Sequence, residues 1–251
     1  VRVAVRVRPF SSQERQALQR RALSVVGEQL VLVSPQAFDA DPDAVALVAL
    51  QMRSQQWASA FRFAPCLWSA QLDAQAGAQC ADQVGLHDSL GLELVGQVLS
   101  GQSASCFAYG HTSTGKTYSL FGSDAHNREA RGRLFEGGLN ITPHSGLIQR
   151  VFHDVVRLSH RSTRVTLSFM EIYNEKIRDL LVDPSDAAGG GGGVESLKLR
   201  EHSSFGPYVE GLAKIQIFSA GDALRLVAKG QARRTNTATQ WNASSSRSHA
   251  V

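Results

Sequence analysis

The stretch CFAYGHTSTGKTYSLFG, residues 106–122, contains the pattern that decides the fold of this chain. Its residues 110–117, GHTSTGKT, match the phosphate-loop pattern G-x-x-x-x-G-K-[ST] in full. In such a loop the glycines let backbone N–H groups surround a phosphate, and the lysine adds a full positive charge. The threonine hydroxyl then binds Mg²⁺. The pattern predicts a nucleotide site, but it names neither the base nor the class of enzyme, because a motor, a kinase and a GTPase would all fit.

The segments before this loop alternate between strand and helix patterns. Apolar residues at every second position predict strands, and apolar residues three and four apart predict helices. Gly101 is placed to cap the C-terminal end of the helix that precedes the loop. In chain order the predicted elements are a strand at 1–10, loops with short strands at 11–58, a strand at 60–68, a helix at 84–99 and a short buried strand at 103–109.

The segments after the loop continue the alternation, starting with a helix at or near Lys116. Ser219 and Asp222 form an S-x-x-D start signal for a later helix, which Gly230 is predicted to end. The other predicted elements are a loop at 122–142, a helix at 143–159, one strand at 164–175, a flexible glycine-rich surface loop at 183–194, two short strands around 197–201 and 208–218, and a polar, loop-like tail at 231–249. Strands that alternate with helices favour an α/β fold.

Composition sets limits on the class of protein. The chain of 251 residues is long enough for one α/β domain or two small ones, and 26 basic against 22 acidic residues give a net charge of +4. This mild excess tolerates an acidic partner without requiring one, and no basic block resembles a nucleic-acid-binding arm. Cys66, Cys80 and Cys106 lie too far apart for a CxxC pair, which favours reduced thiols in a cytosolic protein. No apolar stretch approaches the length of a membrane span.

A second candidate phosphate-sensing segment is NASSSRSH, residues 242–249. Judged alone, a serine-rich stretch is usually a solvated loop. Its hydroxyls, one amide and one guanidinium could also hold Mg²⁺, a γ-phosphate and an attacking water, which are the tasks that phosphoryl transfer requires. The presence of a complete phosphate loop in the same chain favours this second interpretation.

With these motifs together, the sequence closely resembles the kinesin motor domain. AYGHTSTGKTY resembles the phosphate loop of that family, NASSSRSH its first switch, and RVRP (6–9) its adenine-side motif. SFMEIYNEKIRDLL (168–181) and REHSSFGPYVEGL (200–212) resemble two further family segments, in the family's order. FGPYVEGL and SSRSHAV lean toward the third, cargo-transporting class. The implied fold is the α/β P-loop NTPase fold of kinesin motors, with a central β-sheet and helices on both of its faces.

The resemblance also implies roles for matching residues. Lys116 would hold phosphate, and Thr117 and Ser246 would serve Mg²⁺. Asn242 and Ser245 would position the γ-phosphate and its water, Arg247 would pair with a glutamate of a second switch, and Arg234 and Thr239 would brace the first switch. The implied nucleotide-binding residues are Arg6, Arg8 and Pro9 on the adenine side, Gly110, His111, Thr112, Ser113, Thr114, Gly115, Lys116 and Thr117 in the phosphate loop, and Tyr118 stacking on the other adenine face.

The implied function is an ATP-dependent microtubule motor of the cytoplasm and cytoskeleton, with ATP and Mg²⁺ as cofactors and tubulin as partner. Lys198, Arg200 and His202 are candidates for part of the track-binding surface, although ordinary solvated strand charges would look the same. A homodimer or a cargo complex would form through regions outside these residues. The alternative is a non-motile kinesin-like scaffold without productive turnover, whereas an unrelated P-loop ATPase or GTPase would not explain the other motifs.

Some features depart from the family pattern. His111 stands where Gln is usual, and the branched Thr114 is expected to crowd the loop slightly. No D-x-A-G-S-E segment occurs, so the second switch, the neck linker and the C-terminal part of the fold are expected beyond Val251. Residues 1–251 expressed alone are therefore expected to be unstable and inactive, with hydrolysis belonging to the full-length protein.

Overall fold

The chain forms two compact units, residues 1–92 and residues 93–251. The computed structural model describes residues 1–17, 22–26, 29–33, 58–69, 79–80, 82–123, 141–160, 162–182, 196–204, 206–240 and 248–251. The predicted flexible loop at 183–194 lies outside the described residues, and so do Asn242, Ser245, Ser246 and Arg247.

The first unit contains two small sheets. Strands β1 (Val5–Val7), β5 (Cys66–Trp68) and β6 (Gln79–Cys80) form a parallel sheet with β5 in the middle. Strands β2 (Leu23–Val26), β3 (Gln29–Val33) and β4 (Ala58–Arg62) form an antiparallel sheet, and α1 (Ser12–Gln16) follows β1. All three residues of β5 are buried, as a central parallel strand requires. The predicted strands at 1–10 and 60–68 are confirmed, the second as two short strands on either side of Pro65.

The helix predicted at 84–99 is confirmed, with one irregularity. It consists of α2 (Gln83–Leu86), a π-helical segment (His87–Gly91) and α3 (Leu92–Leu99). Gly101 ends it as predicted: its φ is +82°, its N–H donates to Val98 O at 3.0 Å, and the next N–H, of Gln102, donates to Gln97 O at 3.0 Å. This is the Schellman arrangement, in which glycine takes the left-handed conformation at low steric cost.

The short buried strand predicted at 103–109 is wrong. These residues have no regular secondary structure, and Phe107 and Tyr109 are 81% and 96% exposed. An apolar run becomes a strand only when a neighbouring strand accepts and donates its backbone hydrogen bonds. Within the part of the chain that the structure describes, no strand pairs with this segment. The run still leads directly into the phosphate loop.

Two helices follow the loop, as predicted: α4 (Lys116–Phe121) and α5 (Leu147–Leu158). The end of α4 meets the start of α5 through a bridge between Gly122 and Ser145. The contact is backbone against backbone, because a Cβ on Gly146 would lie 2.6 Å from the carbonyl carbon of Leu120. The helix that carries the phosphate-loop lysine is thus tied closely to α5.

The strands of the second unit form antiparallel ladders. β7 (Val165–Leu167) pairs with β12 (Ile215–Ile217), and β10 (Lys198–His202) pairs with β11 (Gly206–Glu210). β8 (Met170–Tyr173) lies between β9 (Lys176–Asp179) and β13 (Ser248–Ala250). These strands share the unit with helices, so the α/β class is confirmed.

Two predicted single strands are each divided in the structure. The strand predicted at 164–175 separates into β7 and β8, because Ser168 leaves the ladder and its hydroxyl donates to Ala213 O at 2.7 Å. The following residue, Phe169, turns into the hydrophobic core. The strand predicted at 208–218 separates into β11 and β12, with Gly211 at φ +78° between them. In both cases the two halves pair with different partners.

The last helix, α6 (Ala220–Gln240), is longer than predicted. Its start is confirmed, since the Ser219 hydroxyl accepts from Asp222 N at 3.1 Å and Ser219 N donates to Asp222 Oδ2 at 2.9 Å. The predicted end at Gly230 is wrong, because Gly230 lies inside the helix against Phe169, where a Cβ would be 2.6 Å from the ring carbon Cε1. The predicted loop-like tail at 231–249 is likewise wrong for the end of α6 and for β13.

The core of the second unit is formed where α6 packs on α5 and on β12. Its buried members are Phe121, Leu167, Phe169, Leu180, Leu181, Ile217, Ala223 and Val227. Among the described residues, no helix is both long enough and apolar enough to span a membrane.

Candidate nucleotide site

Three residues of the phosphate loop have positive φ. Gly110 has φ +155°, Ser113 +69° and Gly115 +96°. A turn closes inside the loop, where Thr114 N donates to His111 O at 3.3 Å. Glycine adopts positive φ at low cost, whereas at Ser113 the left-handed conformation is uncommon and costs energy. The local sequence therefore selects a curled backbone directly before α4.

The Lys116 side chain is held by backbone carbonyl oxygens of the phosphate loop. Its Nζ donates to Gly110 O at 2.8 Å and to His111 O at 2.8 Å. An ammonium group has three N–H donors, so these two bonds position the charge and leave one donor for another acceptor. The carbonyl oxygens thereby fix a positive charge at the mouth of the loop.

The predicted crowding by Thr114 is relieved by the absence of a side chain at Gly110. The Thr114 hydroxyl donates to His111 O at 2.8 Å, and a Cβ on Gly110 would lie 2.6 Å from that hydroxyl oxygen. A branched residue at 114 thus fits only because position 110 has no side chain. The His111 ring, which replaces the usual Gln, has its Nδ1 3.1 Å from Thr112 O. Since a carbonyl only accepts, Nδ1 is the protonated nitrogen in this contact.

The N-terminal end of α4 completes the loop. The first intrahelical bond runs from Ser119 N to Gly115 O at 2.8 Å. The N–H groups of Lys116 and Thr117, which precede it, have no acceptor inside the helix, which is the usual situation in a first turn. Thr117 is half-buried, and Tyr118 is 41% exposed. The structure therefore brings the amides, the lysine ammonium and the threonine hydroxyl together within one short segment.

The predicted adenine-side residues belong to the first unit, so they are described separately from the loop. Arg6 is held inside this unit: Nε donates to Ser69 Oγ at 2.9 Å, and Nη1 donates to Gln83 Oε1 at 3.0 Å. Gln83 is fully buried, so Arg6 anchors β1 to α2. Pro9 is exposed.

Arg8 is paired with Glu14. Its Nη1 and Nη2 donate to the two carboxylate oxygens of Glu14 at 2.7 and 2.6 Å. Glu14 also belongs to a capping box, in which it accepts from Ser11 N at 2.7 Å while Ser11 Oγ accepts from Glu14 N at 3.2 Å. The Arg8 guanidinium, followed by the bonds from Ser11, lowers the pKa of Glu14 to about 2. The ion pair between Arg8 and Glu14 therefore holds the RVRP motif against α1.

Arg234 connects three elements of the second unit. Its Nε lies 3.2 Å from Glu171 Oε1 in β8, and the two side chains are 13% and 8% exposed. Its Nη2 donates to Ser248 Oγ in β13 at 3.0 Å. Next to it, Arg233 Nη1 donates to Leu180 O at 3.0 Å. The side chain of Thr239 lies outside the described part of the chain.

The hairpin of β10 and β11 presents the predicted track-binding residues on one face. Lys198, Arg200 and His202 alternate along β10, and every residue of that strand is exposed. Register pairs Arg200 with Tyr208. Arg200 Nε donates to Glu210 Oε2 at 3.0 Å, which neutralises part of the charge on this face.

Comparison with known proteins decides the family. The sequence pattern of the kinesin motor domain matches residues 6–251. The chain belongs to the kinesin motor domain family. It is 34% identical over 251 residues to kinesin-like protein KIF13B of Homo sapiens and 34% identical over 253 residues to kinesin-like protein KIF13A of Mus musculus. Each match covers 100% of this chain and 12% of the relative, so the chain spans only a small part of the length of these kinesin-like proteins.

Solved structures agree with this kinesin fold. A KIF14 dimer in a two-heads-bound state, with AMP-PNP and in complex with a microtubule, matches with a TM-score of 0.72 and 30% identity over 100% of this chain and 58% of that one. KIF14 with ADP in complex with a microtubule matches with a TM-score of 0.69 and 27% identity over 100% of this chain and 59% of that one. The similarity to KIF13B, KIF13A and the Homo sapiens protein KIF1C, which is 32% identical, is consistent with the third class of kinesins.

Sequence reasoning missed three residues that organise these sites: Glu14, Glu171 and Ser248. Glu14 had a local signal, because Ser11 and Glu14 form an S-x-x-E capping box. Glu171 lies in SFMEIYNEKIRDLL and Ser248 in NASSSRSH, but neither motif predicts a contact with Arg234, which is 63 residues from Glu171 and 14 residues from Ser248. Only the packing of α6 against β8 and β13 brings these side chains together.

Proposed function

We propose that residues 1–251 are part of one kinesin motor domain, and that the protein is an ATP-driven microtubule motor. The observation that carries this proposal is the loop at 110–117, where backbone carbonyls fix the Lys116 ammonium beside the first amides of α4. It occurs in a chain whose family match extends over residues 6–251. A fixed positive charge and amides that have no acceptor inside the helix suit the phosphates of a nucleotide.

In this proposal Lys116 and the loop amides hold the phosphates, and Thr117 and Ser246 hold Mg²⁺. Magnesium prefers oxygen ligands and is usually held by few protein groups together with water and phosphate oxygens. The half-buried Thr117 hydroxyl at the start of α4 suits that preference. When bound, the ion would neutralise charge on the phosphate oxygens.

The γ-phosphate half of the proposed site comes from the first switch. Asn242 and Ser245 would position the γ-phosphate and the attacking water, and Arg247 would pair with the second-switch glutamate. This assignment is supported by the resemblance of NASSSRSH to the first switch, in a chain whose kinesin family match extends over residues 6–251. Hydrolysis in this scheme depends on positioning and charge stabilisation, with no covalent step on the protein.

The adenine-side residues have a modified role in the proposal. The guanidinium groups of Arg6 and Arg8 bind Gln83 and Glu14, so they are proposed to hold the RVRP backbone in place. The exposed ring of Pro9 would then offer an apolar surface for the base, and the exposed ring of Tyr118 is proposed separately as a group on which a base can stack.

The track-binding role is proposed for the exposed face of the β10–β11 hairpin. Lys198, Arg200 and His202 present basic groups there, which suits an acidic protein lattice such as a microtubule. Association with the cytoskeleton follows from this role. Dimerisation is proposed on the strength of the similar KIF14 structure, which is a dimer.

The experiment that tests this function measures the ATPase rate of the full-length protein with and without microtubules. Wild type should be stimulated, and Lys116→Ala should lose ATP binding because its ammonium is the fixed charge of the loop. Lys176→Ala is the matched control, since Lys176 is an exposed lysine at the start of β9. Unchanged ATP binding in Lys116→Ala would contradict the assignment of the loop. Microtubule binding without stimulated turnover would favour the non-motile scaffold instead.

A further inference from the structure

We propose that Asp179 and Ser168 are positioning residues for microtubule binding, acting through the hairpin of β10 and β11. Ser168 begins the segment SFMEIYNEKIRDLL, and Asp179 stands near its end. The inference rests on the proposed track-binding role of the hairpin, and it names the groups that set the direction of that surface. Neither residue belongs to the hairpin itself.

The hairpin is a surface element that depends on its attachments. Every residue of β10 is exposed, and in β11 only Gly206 and Val209 are partly buried. A two-stranded hairpin alone is marginally stable in water, and one with so little buried surface gains little packing that could fix its direction. The direction of its basic face, Lys198 and Arg200, is therefore set where the hairpin joins the rest of the unit.

The N-terminal end of the hairpin is attached to β9. Leu197 N donates to Ile177 O at 2.9 Å, and Ile177 N donates to Ser196 Oγ at 3.0 Å. Ile177 itself is buried. The residues directly before β10 are thus fixed to one buried position of β9.

The C-terminal end of the hairpin is held at Ala213 by two side chains. Ala213 N donates to Asp179 Oδ2 at 2.8 Å, and Ser168 Oγ donates to Ala213 O at 2.7 Å. Both backbone polar groups of one residue are therefore bound by side chains that are 34 and 45 residues away in the chain. These three residues form the Ala213 clamp.

The Asp179 carboxylate is itself fixed in orientation. Its other oxygen, Oδ1, accepts from Leu181 N at 2.7 Å and from Val182 N at 3.3 Å. Leu181 is buried in the core of the unit. Hydrogen bonds from backbone N–H groups to a carboxylate are stronger than those between neutral groups. Because both oxygens are bound, the carboxylate cannot turn without losing backbone partners, so it holds Ala213 in one position relative to the core.

The Ala213 clamp is not needed for either neighbouring ladder. β11 pairs with β10, and β12 pairs with β7, each through its own backbone hydrogen bonds. Between β11 and β12 the chain passes through Gly211 at φ +78°, and glycine has more conformational freedom than any other residue type. Ala213 follows two residues after this glycine. The clamp therefore fixes the relation between the two ladders, and with it the direction of the hairpin.

A hairpin held in one direction binds a partner more tightly than one that samples several directions. The apparent affinity is reduced by the fraction of molecules that are in the binding-competent arrangement. Fixing a segment in its bound conformation also lowers the entropy cost of association. The Ala213 clamp thus contributes to microtubule affinity without touching the microtubule.

The test measures the ATPase rate of the full-length protein over a range of microtubule concentrations, together with ATP affinity. Ser168→Ala removes the hydroxyl that binds Ala213 O. The KM for microtubules should rise by about three- to tenfold, the order by which one hydrogen bond changes an equilibrium constant. The kcat at saturating microtubules and the ATP affinity should stay near those of wild type. Ser162→Ala is the matched control, since Ser162 is an exposed serine of the same unit whose hydroxyl lies 2.8 Å from Nδ1 of the nearby His160.

Asp179→Asn tests the other side of the Ala213 clamp. An amide has an NH2 group in place of one carboxylate oxygen, so either Ala213 N or the N–H groups of Leu181 and Val182 lose their acceptor. The same rise in the KM for microtubules is expected, and the melting temperature shows whether the variant is folded. If Asp179→Asn does not fold, Ser168→Ala decides the test.

A variant of the basic face separates this inference from the function on which it rests. Lys198→Ala combined with Arg200→Ala removes charges of that face, so this basic-face variant should itself raise the KM for microtubules. Addition of Ser168→Ala to the basic-face variant should then have a smaller effect than Ser168→Ala has alone, because substitutions that act through the same groups are not additive.

The outcomes distinguish the two levels of the proposal. Wild-type protein without microtubule stimulation would overturn the motor function and this inference with it. If wild type is stimulated but the basic-face variant has an unchanged KM, the motor function stands, and both the track-binding role of the hairpin and the positioning role are overturned.

If the basic-face variant raises the KM for microtubules, Ser168→Ala decides the positioning role. A raised KM at unchanged kcat, with a smaller effect in the combined variant, supports that role. The role is refuted if Ser168→Ala matches Ser162→Ala, lowers ATP affinity in parallel, or adds its full effect to the basic-face variant.

Discussion

Substitution of Gly230 by alanine should destabilise the protein, although alanine is the better helix former. Gly230 lies within α6, where its missing side chain lets the helix approach Phe169 and Leu180. A Cβ at this position would lie 2.6 Å from Phe169 Cε1, nearer still to Cδ1, and 3.2 Å from Leu180 Cβ. Carbon atoms pack best at about 3.5–4.0 Å, so the helix or the ring would have to move by about 1 Å.

The magnitude follows from two opposing contributions. Replacing glycine by alanine inside a helix favours folding by about 1 kcal/mol. Overpacking a core costs about 1–3 kcal/mol. The upper part of that range applies here, because the Phe169 ring is itself buried and packs against Phe121 with ring centroids 6.3 Å apart, so it has little room to turn. We expect a net loss of about 1–2 kcal/mol in the free energy of unfolding.

The control is the same substitution in another helix. Gly96 lies in α3, and nothing is within 4 Å of the position that its Cβ would take. Gly96→Ala should therefore show the propensity gain alone, about 1 kcal/mol. Thermal and urea unfolding of both variants in the full-length protein gives the comparison, and melting temperatures shift by about 2–4 °C for each kcal/mol in domains of about 150–250 residues. A rise in melting temperature for Gly230→Ala similar to that for Gly96→Ala would refute the close-packing explanation.

Three further predictions concern other anchors of the fold. Glu14→Gln should lose less stability than wild type when the pH falls from 6 to 3, as measured by urea titrations. Arg8 lowers the pKa of Glu14 from its ordinary 4.5 to about 2, so the Glu14 carboxylate stabilises the fold above pH 4.5. That contribution is lost as the pH falls toward 2. Equal pH dependence in both proteins would contradict it. Gly146→Ala should cost about 2–3 kcal/mol in the free energy of unfolding, because its Cβ would lie 2.5 Å from Leu120 O. If the substitution costs no more than an ordinary surface substitution, the close contact between Gly146 and Leu120 is contradicted. Ser219→Ala should cost about 1 kcal/mol by removing the N-terminal cap of α6, and Ser219→Asp, which restores a capping oxygen, should recover most of it.

The elements that could be predicted from the sequence are those whose cause lies within a few neighbouring residues. The phosphate loop, the start of α4 at Lys116, the cap at Gly101 and the start of α6 at Ser219 all occur where the pattern places them. Each depends on local backbone preferences or on a hydrogen bond between residues that are close in the chain. Interactions between residues so close in the chain can be predicted from the sequence alone.

The elements that could not be predicted depend on partners far away in the chain. The run at 103–109 has the composition of a strand, but among the described residues no neighbour pairs with it. Gly230 is of a residue type that commonly ends a helix, but in the structure it lies inside α6, where it packs against Phe169. For both, the residue type is compatible with two structures, and the packing selects one.

The sequence by itself determined the family, the chemistry of the phosphate loop and the order of the helices that carry it, because these follow from short motifs with local geometry. Only the tertiary structure decided which strands pair, how far α6 extends, and that Glu171, Arg234 and Ser248 form one buried cluster. A buried charge takes its position from the groups that compensate it, and those groups come from three separate segments of the chain. Their meeting is a property of the fold and of no single motif.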